Sequence, residues 1–131
     1  MKILCICHGG RVRSVALRYI LTDHLGFTDT LAAGLTKNSP ETISILCEWA
    51  DTIFLLVDDK PDFLEAHQDK IRYLDIGPDI WGSPNDIGLI QKLKQLLFNS
   101  QWYAEYVIPK LHAEIQKGHQ ELEAHNKEMR S

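Results

Sequence analysis

The chain has 131 residues, of which 44% are hydrophobic, and carries a formal charge of −4 with a pI near 5.8. That is enough apolar material for one core and too little for two ordinary domains. The acidic balance argues against general affinity for nucleic acid or an anionic membrane surface, so any anion binding must be local.

Read in chain order, "KILCIC" is a continuously apolar, strand-forming run, as expected of a central parallel strand covered on both faces. "HGGRVRS" interrupts it, and "SVALRYILTDHL" then places Val15, Leu17, Ile20, Leu21 and Leu25 at helical spacing before Gly26 as a stop. A short strand at "DTLAAGL" follows. Ser39 is placed to cap the next helix, Pro40 suits its first position, and "ETISILCEWA" completes it. "DTIFLLVDD" reads as a buried strand, "KPDFLEAHQDK" as a short helix begun by Pro61, and "IRYLDI" as a fourth strand. "GPDIWGSPND" is a loop.

From residue 86 the pattern is helical to the end, with a break at "NSQ" and a kink or restart expected at Pro109. Ile108, Leu111, Ile115 and Leu122 keep a coiled-coil-like spacing interrupted by Gly118. Two fates are expected for this segment: packing on the domain with a frayed end, or contact with a partner or second copy as a homodimer. The division is thus an α/β core over 1–98 and a helical extension of the same domain over 99–131. Alternating strands and helices imply an open, mostly four-stranded parallel sheet with helices on both faces, whose ligands bind beyond the carboxyl ends of the strands. Both the "CHGGRVRS" and "GPDIWGSPND" loops follow strands and therefore fall on one edge.

The opening apolar run is too short for a signal peptide and no window approaches membrane-spanning length, so a cytoplasmic location without membrane contact is expected. Three cysteines, Cys5, Cys7 and Cys47, are not a disulfide framework and fit a reducing compartment. Their spacing does not suit structural zinc, and His112, His119 and His125 lack the four-residue spacing of a helical metal pair. No metal or cofactor is expected.

A glycine loop between a central strand and a helix turns backbone N–H groups inward at the positive end of the helix dipole, which makes an anion cradle. A cysteine at its entrance favours the thiolate, and an arginine closing it can grip two phosphoryl oxygens. The stretch "CICHGGRVRS" offers two interleaved pairs of this kind, Cys5 with Arg11 and Cys7 with Arg13. Cys7 stands where the strand ends, Gly9 and Gly10 supply the tight backbone, Arg13 opens the helix and Ser14 offers a hydroxyl to the sulfur. The second pair is therefore expected to be the site, and Cys5 a small core residue. No Gly-Lys-Ser/Thr follows the glycines, so a nucleotide-binding loop is not supported.

Cys7-His8-Gly9-Gly10-Arg11-Val12-Arg13-Ser14, after a strand and before a helix, resembles the signature of the low-molecular-weight protein tyrosine phosphatases. The resemblance continues through "AGL" (33–35), "WADTIFLLVDD" and the proline-containing acidic loop, about the first hundred residues. It implies a flavodoxin-like sheet and hydrolysis of phosphomonoesters through a phosphocysteine. His8, Gly9, Gly10, Arg11, Val12, Arg13 and Ser14 would then bind the phosphate of a phosphotyrosine protein or small phosphomonoester, and inorganic phosphate would be product and inhibitor. The sequence departs from the family at Gly10, usually Asn, and at Val12, often a second cysteine. Arg11 adds a positive charge, and the wall-forming segment "TKNSP" is short.

Such chemistry needs a carboxylic acid for the leaving oxygen. The family takes it from an Asp-Pro-aromatic loop, and the matching region here is Asp75-Ile76-Gly77-Pro78-Asp79-Ile80-Trp81-Gly82, with the proline before the aspartate. Asp79 is the expected acid, beside Trp81 as an apolar wall; Asp75 and Asp86 are the alternatives, and a core role is the competing reading of Trp81. Asp58 and Asp59 end a strand on the same edge. Three other functions fit the scaffold: an arsenate reductase, which needs resolving cysteines where only Cys47 remains; a phosphocysteine carrier, which has no use for Asp79 and against which Arg13 argues; and a non-catalytic phosphate-binding module.

Overall fold

The structure is a computed structural model that describes the backbone of residues 1–130 and the side chains of residues 1–122. The chain divides into two compact units, Met1–Leu96 and Leu97–Ser131.

In the first unit four strands, β1 (Ile3–Cys7), β2 (Thr30–Gly34), β3 (Thr52–Leu55) and β4 (Ile71–Tyr73), form one sheet in the order β2-β1-β3-β4. Every pairing is parallel, with Ile3 opposite both Thr30 and Thr52, and Leu55 opposite Tyr73. The fold is therefore the α/β, flavodoxin-like arrangement expected. β1 is central and its five residues are all buried, which accounts for its uninterrupted apolar sequence. Alternation along the strands sends Leu4, Ile6, Ile53 and Leu55 to one face, where they pack with Ile43 and Cys47. Ile3, Cys5 and Cys7 have the opposite parity.

Helix α1 (Arg13–Tyr19) continues as a π-helical turn over Ile20–His24, where Leu25 N–H reaches back five residues to Ile20 O. Helix α2 (Pro40–Trp49) begins as its sequence dictates, with Ser39 Oγ accepting from Thr42 N–H at 3.1 Å and Pro40 in the first turn. Residues Asp62–Lys70 form 3₁₀ turns broken at His67 rather than a regular helix. Helix α3 (Ile87–Phe98) starts where Asp86 Oδ1 accepts from Leu89 N–H at 3.1 Å. Since the chain runs from β1 outward to β2 and later returns to β3 on the other side, the order reverses at β1. The crevice beyond the carboxyl ends of β1 and β3 is the switch point where such sheets bind ligands.

The second unit holds α4 (Gln101–Tyr106), capped by Ser100 Oγ on Tyr103 N–H, and α5 (Ile108–Arg130). The break falls at Val107, and Pro109 sits in the first turn of α5, where its missing N–H costs nothing. Among the described residues no helix is long and apolar enough to cross a membrane.

Candidate active site

The sequence places Cys7 at the last position of β1, and the structure gives its sulfur two partners. Gly10 N–H donates to Cys7 Sγ at 3.2 Å, and the thiol donates to Ser14 Oγ at 3.2 Å, a contact whose direction reverses once the sulfur is ionised. Cys7, Arg13 and Ser14 are all buried. Gly10 has φ +65°, the left-handed region. The family's asparagine tolerates that conformation too, but a Cβ at Gly10 would lie 2.7 Å from Gly34 N. Here the position demands glycine for room as well as for φ.

Beyond β1 the backbone leaves the regular ladder. Leu35 N–H donates to Cys7 O and Thr36 N–H to His8 O, each at 2.9 Å, and Thr36 Oγ1 adds a third bond to His8 O at 2.9 Å. An extended strand would point these two carbonyls to opposite sides. Both instead face the segment after β2. Because C=O and N–H oppose each other in a trans peptide, the His8 and Gly9 N–H groups turn the other way together, a concavity of the kind in which successive amides can hold an anion.

Arg13 closes this concavity. Its Nη1 donates to Leu56 O at 3.2 Å and to Gly77 O at 2.9 Å, while its buried Nε has no hydrogen-bond partner. Leu56 N–H still bonds Ile6 O at 2.9 Å, so a continued ladder would have given Leu56 O to His8 N–H. Arg13 takes that acceptor, which leaves the His8 amide to the cradle and ties β3 and the loop after β4 to the start of α1.

Cys5 is fully buried in the strand. Burial first, then the neighbouring Cys7, pushes its thiol well above the ordinary thiol range, against a smaller opposing effect of Arg18. The Cys5–Arg11 pairing is thus not a site, since Arg11 is exposed and Cys5 faces core. Burial also pushes the Cys47 thiol up, to about 11, with Lys70 opposing.

The loop after β4 meets Arg13 through Gly77 O. Asp75 and Asp79 are both exposed, and among the described residues neither is held by a hydrogen bond or ion pair to the Cys7 loop. Asp86 is occupied as the cap of α3. Trp81 is half-buried, with its ring against the start of that helix: a Cβ at Gly88 would lie 3.3 Å from Trp81 Cζ3. Asp59 lies on the edge its sequence position suggested, with Oδ1 3.3 Å from His8 Nε2. A cavity of about 480 Å³ runs along the outer face of α1 past Val15, Arg18 and Thr22 to Pro84 and Asn85, but no residue of the Cys7 loop lines it. The buried polar atoms at Arg13 are the stronger indicator of a site.

No group of three or more potential metal ligands occurs among the described residues. His112 and His119 lie exposed on α5, and the side chain of His125 is outside the described residues. Comparison of the chain with family models, with curated proteins and with solved structures finds no match.

Two residues that carry the loop had no chemical signature of their own, Gly34 and Thr36. A Cβ on Gly34 would stand 2.4 Å from Gly10 N and 2.5 Å from Gly9 C, backbone that cannot step aside cheaply. Gly34→Ala is expected to cost roughly 1–3 kcal/mol as overpacking, seen as a lowered thermal midpoint, and to abolish phosphate binding by calorimetric titration. Unchanged phosphate affinity in a folded Gly34→Ala protein would refute the contact.

Proposed function

We propose that this chain is a phosphomonoester hydrolase of the low-molecular-weight tyrosine phosphatase kind, acting through a phosphocysteine. The observation that carries the reading is the convergence on one sulfur: Gly10 N–H and Ser14 Oγ at 3.2 Å each, in a loop of inward-turned amides that ends on a buried arginine whose Nε has no partner.

In this mechanism Arg13 and the loop amides hold the phosphate oxygens, and Cys7 Sγ attacks phosphorus in line as the P–O bond to the leaving group breaks. Asp79 delivers a proton to the departing oxygen. Water, deprotonated by the same carboxylate, then cleaves the S–P bond, releasing inorganic phosphate and regenerating the thiolate. The amides and Arg13 stabilise charge that grows on the equatorial oxygens, the largest contribution such sites make. A phosphotyrosine protein or a small aryl phosphate is the substrate class, and the chemistry calls for neither metal nor cofactor.

The test is turnover of a generic aryl phosphate by the wild type and by Asp79→Asn and Asp75→Asn, with vanadate as inhibitor. Asp79→Asn is expected to lower kcat by about 10²–10³-fold, within the range of a lost general acid, with KM little changed. Loss confined to Asp75→Asn moves the acid to the residue nearer β4. The freedom of both carboxylates favours a second reading, a phosphate-binding module without turnover. Tight vanadate binding with no hydrolysis of any aryl phosphate would establish it in place of the enzyme.

A further inference from the structure

Helix α5 carries an apolar stripe that the site does not use. Ile108, Leu111, Ile115 and Leu122 are 40%, 41%, 59% and 57% exposed, and the residues between them are polar apart from Pro109, Ala113 and Gly118. With Ile108 at heptad position a, the a column reads Ile108, Ile115, Leu122, while the d column reads Leu111, Gly118. The flanks are equally ordered: His112 and His119 occupy e, Glu114 and Glu121 occupy g. Around Gly118 the surface dips into a concavity of about 210 Å³ lined by Ile115, Gly118, His119 and Leu122.

We propose that this stripe docks a second copy of the chain, with the two α5 helices parallel and in register. Two independent features select that occupant and orientation. In a parallel pair a meets a, so Ile115 and Leu122 each pack on their own counterparts; in an antiparallel pair a meets d, and in every register one residue of the a column is spent on Gly118. The charges agree. Parallel helices bring g of one heptad to e of the partner's next, so Glu114 faces His119, opposite in sign whenever the imidazole is protonated. Antiparallel helices would set glutamate against glutamate. Gly118 fits the same picture, since the dip it leaves between Ile115 and Leu122 accepts a side chain from the opposing helix.

The test is the sedimentation behaviour of the full chain from micromolar to millimolar concentration. A reversible monomer–dimer equilibrium is expected, which Ile115→Asp converts to monomer. Gly118→Leu, which supplies the missing d residue, is expected to tighten it at least tenfold. Glu114→Lys weakens the dimer, and adding His119→Glu to the same chain restores it. Oxidised Gly118→Cys is expected to form a covalent dimer through position 118, a geometry open to parallel helices in register. All four sites of change are exposed, so circular dichroism should show Ile115→Asp folded as the wild type. A wild type and a Gly118→Leu variant that both stay monomeric at millimolar concentration overturn the proposal; so does a dimer indifferent to Ile115→Asp, and so does a dimer of the Gly118→Cys variant that fails to cross-link on oxidation.

Discussion

Cys7→Ser is expected to lower kcat for an aryl phosphate by on the order of 10⁴-fold or more, the scale on which removal of an activated nucleophile is felt. The hydroxyl occupies the same place between Gly10 N–H and Ser14 Oγ, but it is not ionised in this setting and no neighbouring base removes its proton. Phosphate binding should survive to within about tenfold, because amides and arginine hold the anion. Cys5→Ser is the control. Cys5 is 0% exposed, so its hydroxyl analogue carries a burial cost of roughly 1–3 kcal/mol in stability, while activity per folded molecule stays near wild type. Full turnover by Cys7→Ser, or equal loss in both variants, would remove Cys7 from the chemistry.

Arg13→Lys should be nearly as damaging despite keeping the charge. The proposed role gives the guanidinium two jobs at once: Nη1 bonds Leu56 O and Gly77 O, and the unpartnered Nε would serve the anion. An ammonium is a point charge that cannot present a planar fork in both directions. We expect kcat/KM to fall roughly 10²–10³-fold, as when a preorganised donor to a transition-state oxyanion is lost. Stability should fall by about 1–3 kcal/mol for the two carbonyls left short of a donor. The measurements are steady-state kinetics and denaturant unfolding. If Arg13→Lys binds phosphate as tightly as wild type, the arginine is a structural brace alone.

The parts of this molecule that were legible in its sequence are those whose cause is local. β1 announces itself by an unbroken apolar run, α2 by Ser39 and Pro40, and the nucleophile's place by the point where strand gives way to glycine. The misread elements are those where a distant residue intervenes. "DTIFLLVDD" predicts a long strand, yet β3 ends at Leu55, and the next carbonyl, Leu56 O, goes to Arg13 from another part of the chain. Asp62–Lys70 has the composition of a helix but breaks at His67, which is buried. Gly34 and Thr36 look ordinary in sequence because their importance is a close approach to Gly10 and His8, which belong to a different segment of the chain. The His8–Asp59 contact depends likewise on how far past β3 the chain has turned. The proposed acid is the least legible, since an aspartate's role is set by loop conformation and Asp75, Asp79 and Asp86 share one loop.

The interlock of Gly34 with Gly9 and Gly10 has a consequence for how the site lives and fails. The Cys7 loop is contiguous in sequence, yet it has no independent shape: one wall of it is the end of β2, pressed against it without an intervening side chain. If the loop binds an anion as proposed, docking of β2 and that binding are thermodynamically linked, each raising the other's population. Fraying of this edge strand, which carries Ala33 into the core, would loosen the Cys7 loop and the packing beside it together. A peptide cut to residues 1–25 would carry Cys7 and both loop arginines and still lack the wall that shapes their loop.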